Sequence, residues 1–145
     1  DRLASIFYVN NRSRKASKRN SQQCSIRKRS ALFKQIACQN CHISAFENSH
    51  LRPYTDLLLH DMGAGLADNR KEFDASGSEW RTAPLWGISE YLKQSPNPSF
   101  MHDGRAKSII EAILWHGGES EKSKLAFMAL PKKERTSLIH FVESL

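Results

Sequence analysis

Residues 33–44 read FKQIACQNCHIS, in which Cys38 and Cys41 are separated by two residues and His42 follows at once. C-x-x-C-H is the attachment signal of a c-type haem. The spacing has a physical reason. Two thiols so placed on a helical turn reach the two vinyl groups of one porphyrin, and the next imidazole lies beneath the ring with a nitrogen free for iron. The motif therefore predicts one haem c, covalent through Cys38 and Cys41, with His42 as an axial ligand. Zinc held by Cys38, Cys41, His42 and a later histidine such as His60 is the chemical rival. The chain offers that rival no second C-x-x-C and no H-x₃₋₅-H pair. A thioredoxin-like dithiol would need a βαβ setting that the flanking residues do not provide. There is also no G-x-G-x-x-G, P-loop or G-x-S-x-G.

The far side of the iron has several claimants: His50, His60, Met62, Met101, His102, His116, Met128 and His140. Met62, in LHDMGAG, is a loop thioether. His116 closes a short apolar segment that would pack on porphyrin. On residue chemistry alone these two stand level. His140 falls on the last helix, where a surface or helix-end role suits it better.

The elements that must position these groups are helical. Leu32, Phe33 and Ile36 recur at helical spacing just before the cysteines. In SIIEAILWHGG, Ser108 and Glu111 form a capping box and Gly117-Gly118 the stop, around a helix apolar enough to be buried. SEKSKLAFMAL predicts another short helix. PKKERTSLIHFVESL predicts the last, with Pro131 at its start and Leu138, Val142 and Leu145 on one face. From Ser44 to about Arg105 the composition predicts mostly loops, with a turn of helix near YTDLLL. Trp80, Trp86 and Trp115 read as core filling before they read as an electron route. The expected class is all-α, with short helices and long loops.

The chain has 145 residues and a net charge of +7. Ten basic groups within residues 1–34 face Asp1 alone, a balance of +9, which leaves −2 for the remainder. Residues 1–30 therefore read as a basic, extended arm, suited to an acidic protein surface and lacking the interleaved aromatics of a nucleic-acid reader. Residues 31–145 read as the folded domain. Cys24 is left without a partner in this chain, reading first as an ordinary thiol and otherwise as half of an intermolecular disulfide. No apolar run approaches the roughly 18 residues of a membrane span. The chain opens on Asp1, as a mature or excised product would, and covalent haem attachment implies an extracytoplasmic setting such as the bacterial periplasm.

LFKQIACQNCH, YTDLLLHDMGAGLAD, ASGSEWRTAPLWGIS, FMHDGRAKSIIEAILWHGG and LIHFVESL occur in this order. Over residues 31–145, and not over the basic arm, the chain resembles the C-terminal haem domain of the bacterial di-haem oxidoreductases. This family is also called thiol oxidoreductase and is related to the di-haem cytochrome c peroxidases. The resemblance implies a cytochrome c-like fold around one haem. In the peroxidases a Tyr-Phe-His-x-Gly segment leads into a helix that ends in the distal Met. FMHDG stands at that start, so the resemblance implies His116 at the Met position and His42/His116 ligation, with Met62 the alternative. It further implies His102 beside the haem and Arg105 as a propionate partner. Two features depart from the pattern: Ala37 stands where Gly is usual, and only one C-x-x-C-H is present.

Two imidazoles would leave the iron no vacant position and would set its potential below that of a His/Met cytochrome. The expected function is a monohaem electron-transfer domain or subunit rather than a complete peroxidase. It would exchange single electrons with a redox protein or another haem-bearing chain. The alternatives are a peroxidase with a displaceable distal ligand and a haem-stabilised structural subunit. No acid/base constellation is evident from the sequence.

Overall fold

The computed structural model describes residues 29–47 and 49–145. The arm and Cys24 lie outside the described residues, apart from residues 29 and 30, which are already helical. Helix α1 (29–35) leads into a 3-10 turn at Cys38–Asn40. Two strands follow, β1 (Leu59–Asp61) and β2 (Glu79–Arg81). Helices α2 (Ile88–Gln94), α3 (Ile109–Trp115), α4 (Glu121–Ala129) and α5 (Lys132–Val142) complete the fold.

The first and last helices meet in the core. Phe33 of α1 and Ile36 just after it pack with Ile109 of α3, Phe127 of α4, Leu130, and Leu138, Phe141 and Val142 of α5. Each such side chain taken from water stabilises the fold by about 1.5–3 kcal/mol. The apolar stripe expected on the last helix is real, with Leu138 and Val142 buried and Leu145 packed against the cluster. Pro131 caps that helix rather than opening it from within. Ser108 caps α3 as expected and accepts from the Glu111 amide at 3.2 Å. The Glu111 carboxylate reaches back one residue further than a regular box, to the Lys107 amide at 2.6 Å.

Four expectations need correction. First, the class is mostly helical but not all-α, because β1 and β2 pair antiparallel with His60 opposite Trp80. The ladder extends outward through Met62 to Ser78 and Thr82 to Leu58, each 2.9 Å. Second, no helical turn forms at YTDLLL. Tyr54 and Leu57 take left-handed conformations (φ 55 and 62) that break a helix, and the buried Thr55 hydroxyl donates to the Thr82 carbonyl at 2.7 Å. Third, α2 was not foreseen in this loop-like region. It starts from Gly87 at φ 81, without a side-chain cap. Fourth, α3 is not wholly buried. Ile109 is, but Ile110, Leu114 and Trp115 are each more than 40% exposed, because a helix has only one face to bury. Trp86 and Trp115 likewise lie partly in solvent rather than filling the core. Among the described residues no helix is long and apolar enough to cross a membrane.

Candidate haem site

The cysteine motif sits where α1 ends. Ala37 takes a left-handed conformation (φ 63) that turns the chain into the 3-10 turn, and the His42 amide donates back to Cys38 at 3.0 Å. A side chain costs about 1–2 kcal/mol in that conformation, which is why Gly is the expected residue there. Burial pushes the Cys38 thiol up to about 11. Burial also raises Cys41, with Asp56 and Glu119 adding to it. Neither is the depressed thiolate that disulfide exchange requires.

His42 is fixed from behind. Its Nδ1–H donates to the Tyr54 carbonyl at 3.0 Å, and the left-handed backbone of Tyr54 aims that carbonyl. Phe33, Tyr54 and Phe141 hold one another edge-on with ring centres 5.4–6.1 Å apart, and Phe33 lies 6.4 Å from the His42 ring. Burial, the largest influence, lowers the His42 imidazole to about 4, so its remaining nitrogen keeps its lone pair near neutral pH.

His116 faces it. It leaves α3 as the C-cap residue in extended conformation, and its Nδ1–H donates to the Ala112 carbonyl at 2.7 Å. Burial lowers this imidazole as well. The two rings stand 6.5 Å apart, centre to centre, at 46°. Both Nδ1 atoms are engaged by backbone carbonyls, so each ring keeps Nε2 for a metal. Imidazole–metal bonds of about 2 Å, with the ring centre about 1 Å behind the nitrogen, separate two imidazoles on one metal by roughly 6 Å. The observed separation fits. Backbone carbonyls on the second nitrogen are also the usual way of fixing the tautomer of a ligating histidine.

Between them lies a cavity of about 610 Å³ lined by Phe33, Cys38, Cys41, Leu66, Ile109 and Val142 among others. Its size and mostly apolar wall suit a cofactor with a large flat apolar body. Of the distal claimants, His60, Met62, Met101, His102 and His116 line it, whereas His50, Met128 and His140 do not. His140 is an exposed residue on α5, 3.1 Å from Glu143. The Met62 sulfur lies 3.8 Å from the Ser120 hydroxyl, whose proton goes to the Gly117 carbonyl at 2.7 Å. His102 stacks flat on Trp80, with ring centres 3.5 Å apart and 7° between the planes. Arg105 is not part of the lining. It is held by Asp103 at 2.6 Å, by the Gly65 carbonyl at 2.6 Å and over the Trp115 ring at 4.6 Å. Arg81 and Lys124 are the Arg and Lys residues that do line the cavity.

Sequence reasoning missed a cluster at the cavity edge. His60 Nδ1 lies 2.8 Å from Glu119 and Nε2 lies 2.9 Å from Asp56. Glu119 first, and Asp56 after it, hold the His60 imidazole above its usual value. Glu119 is held low by His60, then by the Asp61 amide. Burial pushes Asp56 up, but the Leu58 amide and His60 outweigh it and leave that carboxyl below its usual value. An acid/base group thus stands beside the cavity, and only the placement of His60 four residues after Asp56 hinted at it. Cys41, Asp56 and His60 also come within 4.8 Å of one another, so the metal-sized grouping differs from the Cys38/Cys41/His42/His60 set weighed as a zinc site.

Comparison with curated proteins and with solved structures returned no match. The sequence model of the family described as "Di-haem oxidoreductase, putative peroxidase" matches residues 3–145. The match runs through the basic arm, which the motif resemblance from residue 31 had left out. With a haem attachment motif, two facing imidazoles and a match over nearly its whole length, the chain belongs to the di-haem oxidoreductase family.

Proposed function

We propose that this chain holds one haem c through thioethers at Cys38 and Cys41, with His42 and His116 as axial ligands, and passes single electrons to a redox partner. The separation of the two enclosed imidazoles, 6.5 Å between ring centres with both Nδ1 atoms tied to backbone carbonyls, carries this reading. When bound, the haem supplies one-electron ferric/ferrous chemistry. The residues do the rest. The Tyr54 carbonyl and the Phe33 ring, itself packed edge-on against Tyr54 and Phe141, keep His42 from rotating. The helix end and the Ala112 carbonyl orient His116. Phe33, Leu66, Ile109 and Val142, which line the cavity, would keep water from a bound haem, so that little solvent would reorganise when the charge changes. Arg81 and Lys124, which line the cavity, would offer positive charge to the propionates, Lys124 from its pair with Glu121. Thioether formation places maturation on the extracytoplasmic side of a membrane, and the basic arm suits an acidic partner.

The test is a visible and near-infrared spectrum of the ferric protein. Low-spin bands with a near-infrared charge-transfer feature of bis-histidine type are expected. A sulfur-to-iron band would move the ligand to Met62, and high-spin bands would overturn the closed carrier. A second reading, peroxidase chemistry, is favoured by one observation, the His60–Asp56–Glu119 cluster at the cavity edge, which could accept and return a proton. Steady turnover of peroxide with an electron donor, lost in His60→Ala, would establish it.

A further inference from the structure

Two motifs remain to be explained by haem binding, LHDMG at residues 59–63 and HGGE at residues 116–119, and the fold presses them together. A Cβ on Gly117 would lie 2.8 Å from the Met62 carbonyl, and one on Gly118 would overlap the Asp61 carbonyl and sit 2.7 Å from the Gly63 nitrogen. Gly118 also adopts φ 53, a conformation that only glycine takes readily. A Cβ on Gly63 would in turn meet the Gly118 nitrogen at 3.0 Å. The backbones therefore touch through glycines on both sides. Polar contacts pin the same joint. Glu119 takes the Asp61 amide on one oxygen at 3.0 Å and His60 on the other at 2.8 Å, while Asp56 holds the opposite side of His60 at 2.9 Å. Ser120 donates its hydroxyl to the Gly117 carbonyl at 2.7 Å, with the Met62 sulfur 3.8 Å from the same oxygen.

His116 is the residue immediately before this joint. It lies past the last turn of α3, so the helix fixes its entry but not its exit. Its ring makes one hydrogen bond, to Ala112, and the chain after it is two glycines that have no side chains with which to hold position. A 3-10 turn at Gly118–Ser120 closes on the Gly117 carbonyl, from the Ser120 amide at 3.0 Å and its hydroxyl at 2.7 Å, but this fixes the segment only to itself. What ties it to the rest of the fold is the contact with Asp61–Gly63 and the bridge from Glu119 to His60.

We propose that His60 and Glu119 are positioning residues for the distal ligand: by clamping Gly117–Gly118 onto Asp61–Gly63, they hold His116 on the iron and set how often that face opens to an outside ligand. This rests on the reading of His116 as the distal ligand. The role is separable from general support of the fold, because other tertiary hydrogen bonds of this chain are remote from the segment. Arg135, for example, ties the turn between α4 and α5 through the Met128 and Leu130 carbonyls, at 3.1 and 2.7 Å, and does not line the cavity.

The experiment is cyanide binding to the ferric holoprotein, followed by its spectrum. With a closed iron, the rate at high cyanide levels off at the rate of His116 departure. Loss of a charge-assisted hydrogen bond from the joint should raise that limiting rate roughly tenfold in Glu119→Ala and in His60→Ala. The double variant should exceed the single variants little, since both break one unit. Glu119→Gln, which keeps an acceptor for the Asp61 amide and loses the charge, should fall between, and serves if the alanine variant does not fold. Arg135→Ala should leave the limiting rate unchanged. If Glu119→Ala and Glu119→Gln both bind cyanide at the native rate, or Arg135→Ala accelerates it equally, the joint has no positioning role. His116→Ala separates the two levels of inference. An open, high-spin iron in that variant with native rates in the Glu119 variants overturns the joint alone, whereas an unchanged spectrum in His116→Ala overturns the ligand assignment and the joint with it.

Discussion

The two walls of the cavity hold the same group by opposite means. On the His42 side the imidazole is backed by the Tyr54 carbonyl and by Phe33, which packs with Tyr54 and Phe141 in the apolar center of the molecule. On the His116 side it is backed by glycine backbones and a His60–carboxylate bridge whose Glu119 end is exposed. The aromatic contacts themselves carry no charge for protons to remove or counter-ions to screen. An exposed ion pair does, and its strength falls as counter-ions screen it. One imidazole is thus built into the stability of the fold, while the other depends on a local, condition-sensitive contact.

The largest expected effect lies on the packed wall. Phe33→Ala should lower stability by about 3–5 kcal/mol, as measured by denaturant unfolding. The native fraction should keep a closed, low-spin iron, and a high-spin native state would blur the distinction between the walls. Gly118→Ala comes next, at roughly 2–4 kcal/mol, from the overlap with Asp61 and the left-handed backbone. Here the iron itself should turn partly high-spin, and a destabilised protein with a fully closed iron would show that the walls act as one.

A third prediction sharpens the contrast by pH. The raised His60 value gives stability that is complete below the usual histidine value and lost as pH climbs through the raised one. The lowered Asp56 and Glu119 values give stability that is present above the usual carboxyl value and lost as pH falls through the lowered ones. The difference in Tm between the native protein and His60→Ala should therefore be largest between about pH 5 and 6.5 and shrink on both sides. Added salt should shrink it further, and a difference flat across pH would remove the ionic character of this wall. The smallest effect is Ala37→Gly, which relieves a left-handed alanine and should raise stability by roughly 0.5–1 kcal/mol in the same unfolding assay.

The same division governs what could be read from the sequence. The His42 wall is mostly local. C-x-x-C-H, the helical spacing of Phe33 and Ile36 and the stripe of Leu138 and Val142 all announce themselves within a few residues. Helix α3 was legible for the same reason, through the Ser108 cap and the Gly117-Gly118 stop. Its exposed face was not, because apolar composition does not say which residues find a partner. The other wall is made by pairing across distance. Strands of three residues carry too little alternation to be seen, and His60 meets Glu119 from 59 residues away. Helix α2 escaped notice because it begins without a side-chain cap.

The reach of that joint along the chain also has a kinetic meaning. The turn that presents Cys38, Cys41 and His42 closes through a bond between near neighbours, the His42 amide to Cys38. The surface that holds His116 exists only once β1 and the segment after α3 have found each other, and such loop closures are slow relative to local turns. On this ground the thiols and the first imidazole should be in place before the opposite face is shut, an order that pulsed hydrogen exchange during refolding would check. The chain can receive its prosthetic group while the entrance is open, and the last contacts to form are those that close it.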